Sequence, residues 1–278
     1  MHKIQKITLV FLLLAFAVSA TAAEKFCKIA KRAGHTAIYS GKDMIITATA
    51  KSNYIISSFQ KDHKVHLYFA GLSCMEKGVK AICNEANTPA GKCTELRAED
   101  KDGKIFWQVK YQWRNMDVIR TIESGDYPGF KLTYDVEVTR DFNLGRLCFS
   151  FHMPQNNLYT RTGYVKNGVI QFRPLKKAEW FAILRNPHFP YVTFSGDKVD
   201  EGVMIMAGDM KSWNLLPKTL LYASTAKCYW TVEWVYQLGT QLKKGDKYSF
   251  SAYIMPVKSA SVAADAQNNF LLLKDRLK

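Results

Sequence analysis

Beyond its first twenty-two residues the chain has no apolar run near the roughly 20 residues that a membrane-spanning helix needs, so stable insertion into a bilayer is not expected. It also lacks a G-x-S-x-G elbow, an H-E-x-x-H helix and a phosphate-cradling glycine loop. Those absences exclude the common serine-hydrolase, zinc-protease and nucleotide-binding layouts. No His/Cys cluster has metal-ligand spacing. His63 and His66 are three apart, which on a strand puts them on opposite faces, so neither a metal nor an organic cofactor is expected. There is no βαβ rhythm, no repeat of fixed period and no Pro- or Gly-rich linker. A doubly wound sheet is thereby excluded, and a single folded domain is expected.

What is present begins with a leader. Lys3 and Lys6 precede an apolar run from Leu9 to Val18, and Ser19-Ala20-Thr21-Ala22 ends in A-x-A, so cleavage after Ala22 is the natural reading. Cys27 lies too far along to carry a bacterial lipoprotein anchor. We therefore expect a signal peptide over 1–22, a β-sandwich domain over 23–258, a helical tail over 259–278, and a secreted or periplasmic protein. Removing the leader's two lysines from the 39 Lys+Arg leaves 37 against 24 Asp+Glu, a net charge of +13. Outside the cytoplasm such a charge favours acidic polysaccharide over nucleic acid, although a basic surface can also serve solubility alone.

All six cysteines, Cys27, Cys74, Cys83, Cys93, Cys148 and Cys228, follow the cleavage point. An even number in an oxidising compartment favours disulfides, and six cysteines allow fifteen connectivities. Cys74, Cys83 and Cys93 bracket the loop-rich stretch EKGVKAICNEANTPAGKC, which most needs a staple and, having no C-x-x-C, does not read as a zinc knuckle. Cys148 and Cys228 sit in strand-like runs and can be buried thiols.

The 47% hydrophobic and 13% aromatic content suffices for a real core. Its pattern past Cys93 is alternation with period two. Leu132, Tyr134, Val136 and Val138 share a face, as do Trp230, Val232, Trp234 and Tyr236, and Tyr248, Phe250, Ala252 and Ile254. Phe106, Gln108, Lys110 and Gln112 oppose Trp107, Val109, Tyr111 and Trp113. Asp102-Gly103 and Asn167-Gly168 are hairpin dipeptides, because Gly, Asn and Asp tolerate the positive φ of tight turns. Gly245-Asp246 and Ser195-Gly196-Asp197 supply further reversals. The expected fold is all-β, an antiparallel β-supersandwich with a short C-terminal α-helix. In that helix Ser259 or Ser261 can cap, Val262, Ala266, Phe270 and Leu273 face one side, and Lys274, Arg276 and Lys278 meet the negative end.

Candidate functional residues are few. In RNPHFPYVTFS, Pro187 and Pro190 fix the backbone around Arg185, Asn186 and His188, whose imidazole can act as a general acid near neutral pH. The plainer alternative is a loop histidine that caps backbone groups. Glu233 lies on the strand face opposite Trp230, Trp234 and Tyr236, and is a candidate base or a solvated strand residue. Flat aromatic rings stack on the C–H face of a sugar while Arg and Asn bind its hydroxyls and carboxylates. Trp213, in the turn-like DMKSWNLLP, with Arg114, Arg161 and Arg185, is the candidate set for that role; the strand tryptophans read as core.

Three segments carry a family resemblance over the mature chain. GRLCFSFHMP resembles an internal strand ending in proline. FKLTYDVEV is similar to a central Y-x-V-x strand, and VEWVYQLGTQLKKGDKYSFSAYIMP looks like a closing strand pair joined by L-x-x-G-[DE]-x-Y. Together they resemble the galactose-mutarotase-like sandwiches. The resemblance implies a carbohydrate-facing groove and, in active epimerases of the family, two histidines with a carboxylate base acting on the anomeric hydroxyl. The residues available for those roles are His152, His188 and Glu233, and Glu233 lies one strand before the position of the family's base.

The reading is thus a carbohydrate-binding or carbohydrate-processing protein, with acidic glycan favoured by charge. An aldose 1-epimerase-like enzyme, a polysaccharide lyase using Arg185, Asn186 and His188, and a non-catalytic envelope structural protein are its alternatives.

Overall fold

The computed structural model describes residues 28–32, 35–40, 43–49, 59–61, 64–67, 69–79, 83–85, 89–154, 159–166, 169–175, 180–184, 191–197, 199–208, 220–225 and 229–277. The leader, Asn167-Gly168 and the segment around Trp213 lie outside them. Among the described residues no helix is long and apolar enough to cross a membrane.

The chain begins with a five-stranded meander, β1 (Lys28–Arg32), β2 (His35–Ser40), β3 (Asp43–Thr49), β4 (Phe59–Lys61) and β5 (Lys64–Leu67). There follow β6 (Phe69–Glu76), β7 (Cys83–Asn84), β8 (Thr94–Lys101), β9 (Lys104–Trp113), β10 (Met116–Gly125), β11 (Tyr127–Val138) and β12 (Phe142–Pro154). The second half holds β13 (Arg161–Lys166), β14 (Val169–Pro174), β15 (Trp180–Leu184), β16 (Tyr191–Ser195), β17 (Glu201–Ala207), β18 (Leu220–Thr225), β19 (Tyr229–Leu242) and β20 (Lys247–Lys258). A single turn of 3-10 helix, Ser259–Ser261, leads into α1 (Val262–Leu273).

Two antiparallel sheets form the sandwich: nine strands in the order β14-β13-β16-β17-β20-β11-β10-β9-β8, and six in the order β15-β18-β19-β12-β6-β7. The expected alternation holds. Ile105, Trp107, Val109, Tyr111 and Trp113 of β9, and Leu132, Tyr134, Val136 and Val138 of β11, are buried between the sheets against Leu147, Phe149, Phe151 and Met153 of β12. Asp102 and Gly103 take φ of 53° and 68° in the β8–β9 turn, the left-handed pair that a two-residue hairpin needs. β12 is internal, between β6 and β19.

The strands β19 and β20 are consecutive but do not form a hairpin, because the turn 243–246 carries the chain from one sheet to the other. The passage from β11 to β12 makes the same crossing beside it. Val138 N–H donates to Asp246 O at 2.9 Å, Gly245 N–H to Val138 O at 2.8 Å, and Lys244 N–H to Asp141 Oδ1 at 2.7 Å. The G-D dipeptide thus ties two crossovers together at one end of the sandwich.

The outer face of the nine-stranded sheet is covered in part by α1. Val262, Ala266, Leu273 and Leu277 pack on Tyr127, Tyr191, Met204, Met206, Tyr253 and Met255, with Phe270 half-buried alongside. Each large apolar side chain buried there contributes about 1.5–3 kcal/mol. Ser261 occupies the N-cap position without a side-chain bond; Lys258 N–H instead donates to Asp265 Oδ2 at 2.7 Å. Gly129, at φ +86°, lets β11 lie against β20, since a Cβ there would stand 2.1 Å from Ile254 O.

Candidate functional site

β12 divides its side chains between two faces. Leu147, Phe149, Phe151 and Met153 enter the core, so Cys148, Ser150 and His152 take the other face of the six-stranded sheet. The β12–β19 register opposes Ser150 to Glu233 and His152 to Thr231, and the β18–β19 register opposes Tyr222 to Glu233. Two candidate catalytic residues, His152 and Glu233, therefore stand on successive rungs of one face. His152 is 5% exposed, and burial pushes its imidazole down to about 4. At neutral pH it is uncharged, suited to hydrogen bonding more than to delivering a proton.

A second arrangement lies at the β14 edge of the nine-stranded sheet. The Arg161 guanidinium sits 5.2 Å from the centroid of the Phe172 ring, with Nε donating to Ser195 Oγ at 3.1 Å and Nη2 to Ser259 O at 3.1 Å. Phe172 is 41% exposed, unusual for so large an apolar side chain. Gly163, opposite Phe172 in the β13–β14 ladder, allows the ring to settle: a Cβ there would meet Phe172 Cε1 at 2.9 Å and Thr193 Oγ1 at 2.4 Å. In sequence, residues 155–190 hold six Lys or Arg and one acidic residue, Glu179.

Arg114 does not join that edge. It occupies the β9–β10 turn at φ 55°, its Nη2 3.0 Å from Glu76 Oε1 and 3.4 Å from Cys83 Sγ. β9 and β13 are six strand spacings apart in the sheet order, roughly 30 Å at about 4.8 Å each, too far for both arginines to hold one small sugar. Arg185, Asn186, His188 and Trp213 lie outside the described residues. Among the described residues no group of His, Cys, Asp and Glu could hold a metal, and Cys74, Cys83 and Cys93 are free thiols.

A polar cluster between the sheets went unread in the sequence. Glu85, fully buried just after β7, accepts from the Tyr111 hydroxyl and from Leu72 N–H at 2.9 Å. Tyr134 donates to Ala70 O at 3.4 Å, and the buried Arg120 guanidinium lies 5.3 Å from the Trp107 ring. Burial pushes the Glu85 carboxyl above its ordinary range, and the nearby Arg120 charge, the Tyr111 hydroxyl and the Leu72 N–H pull it back only in part. The available signal was Arg120 itself: in M-D-V-I-R-T-I it holds an inward position between Val118 and Ile122.

No family model matches the chain, and no curated protein matches it in sequence. Solved structures match it in fold. A candidate aldose 1-epimerase from Klebsiella pneumoniae aligns over 90% of this chain and 87% of its own length, with a TM-score of 0.54 and 12% identity. Heparan sulfate lyase HepC from Pedobacter heparinus aligns over 92% of this chain and 42% of its own, with a TM-score of 0.53 and 9% identity. Heparinase III aligns over 86% and 38%, with a TM-score of 0.52 and 9% identity. This chain spans less than half the length of the latter two. The chain shares its β-sandwich fold with these proteins, in agreement at the level of fold with the resemblance that the three sequence segments carry.

Proposed function

We propose that the protein is an exported, secreted or periplasmic β-supersandwich that binds acidic glycan along the β13–β14 edge. The observation that carries this reading is the Arg161 guanidinium beside the exposed Phe172 ring, in a segment with six basic residues and one acidic one. An exposed ring offers a stacking surface for a pyranose, and a guanidinium matches a carboxylate or sulfate with paired N–H donors. The shared fold with a candidate aldose epimerase and two heparin-class enzymes supports a carbohydrate ligand. The leader supports export, which would place Cys74, Cys83 and Cys93 where disulfide staples form. A glycan array read at two salt concentrations tests the proposal. Salt-sensitive binding to uronic or sulfated glycans is expected; no binding to any glycan overturns it and favours an envelope structural role.

The placement of His152 and Glu233 on successive rungs favours an epimerase-like activity as the second reading. Polarimetry separates it from simple binding. Catalysis requires anomer interconversion faster than buffer and its loss in Glu233→Gln; a trace identical to buffer leaves binding alone.

A further inference from the structure

Cys74 and Cys83 stand directly opposite each other where β6 and β7 pair. Opposed residues of an antiparallel pair have Cα atoms about 4.5–5.5 Å apart and point to the same face, within the roughly 4.4–6.8 Å that a disulfide spans. The other described cysteines fit less well. Cys148 is opposed to Ser73, so it lies on the far face of the sheet from Cys74, and Cys93 lies beyond the strand pair, one residue before β8. Arg114 Nη2 reaches Cys83 Sγ at 3.4 Å and Glu76 at 3.0 Å, which fixes the half-buried sulfur beside its partner. Cys74 is buried, at 1% exposure.

We propose that Cys74 and Cys83 form a redox-closed clip that fastens β7, and with it the buried Glu85, to the six-stranded sheet. Cys83 is the reachable thiol. As thiolate it attacks one sulfur of a low-molecular-weight disulfide and expels one thiolate. Cys74 then loses its proton to water and attacks the Cys83 sulfur, expelling the second. One protein disulfide and two small thiols result, and two electrons pass from the cysteine pair to the reagent. Burial holds the Cys74 thiol up at about 12, so the second step is the slow one. The proposal is independent of the glycan reading, since no sugar contact enters it.

Peptide mapping tests it on the full chain after incubation with oxidised glutathione and thiol blocking. Trypsin cleaves after Lys77, Lys80 and Lys92, so Cys74, Cys83 and Cys93 leave on separate peptides. The expected result is the 74–83 peptide pair joined and two hydrogens lighter, formed through a transient glutathione adduct on Cys83. The joined pair should persist in Cys93→Ser and be lost in Cys83→Ser. Cys83 joined to any other cysteine, or a glutathione adduct that stays on Cys83, overturns the proposal.

Discussion

Glu85, at the edge of the six-stranded sheet, accepts a hydrogen bond from the hydroxyl of Tyr111 in the nine-stranded sheet, both side chains being buried. This contact joins the two layers at a place where an apolar core would have needed no partner. Arg120 sits in the same pocket with its charge buried. Removing the acid would take away a charge opposite to that of Arg120 and the acceptor of the Tyr111 hydroxyl and the Leu72 N–H, a loss on the order of 3–5 kcal/mol. Glu85→Ala is therefore expected to lower stability by that order in urea unfolding, and Tyr111→Phe by about 1–3 kcal/mol. Equal small losses for both variants would show that the cluster is not coupled.

Stability should fall on acidification through His152. Its imidazole stays neutral in the fold down to about 4, against an ordinary value near 6.5, because burial opposes the charge. Between those values the unfolded chain binds a proton that the folded chain refuses, so stability is present above about 6.5 and drains away as pH falls to 4. The loss is on the order of 3 kcal/mol. Glu85 acts with the opposite sign: its raised carboxyl favours protonation in the fold, so acidification just above its ordinary 4.5 stabilises. Denaturation midpoints of wild type and His152→Gln between pH 7 and 4 isolate the histidine, and the variant should show the shallower decline.

Gly129→Ala should be among the most damaging small substitutions. It combines a positive φ of 86° with a Cβ 2.1 Å from the Ile254 carbonyl, which is backbone and cannot swing aside. A loss of more than about 2 kcal/mol is expected in thermal unfolding. Gly245→Ala is the control: its φ is +92° but no atom lies within 4 Å of the added Cβ, so only the backbone cost of about 1 kcal/mol applies.

Much of the fold was legible from local pattern. The alternation in β9 and β11 reads directly as one core face, and Asp102-Gly103 marks its hairpin, because side-chain facing and turn φ are properties of neighbouring residues. What local pattern does not encode is pairing between distant segments. The strands β19 and β20 read as a closing pair joined by a turn, but local pattern does not show that this turn changes sheets, nor that β13 pairs with β16 rather than with β12. The candidate site shows the same limit. Arg114 and Arg161 look alike in sequence and end six strands apart, while His152 and Glu233, eighty-one positions apart, share one face through register. Arg120 was visible as a charge in an inward phase, but its partner Glu85 comes from a loop whose sequence gives no periodicity.

The glycan-binding claim is tested most directly by the affinity of a sulfated or uronic oligosaccharide for wild type, Phe172→Ala and Arg161→Lys, with folding checked by circular dichroism. Phe172→Ala removes the stacking ring, and Arg161→Lys keeps the charge while losing the planar fork. Each is expected to weaken binding about tenfold, roughly 1.4 kcal/mol. Affinity unchanged in both folded variants would contradict the account, because the charge would then act without the β13–β14 edge.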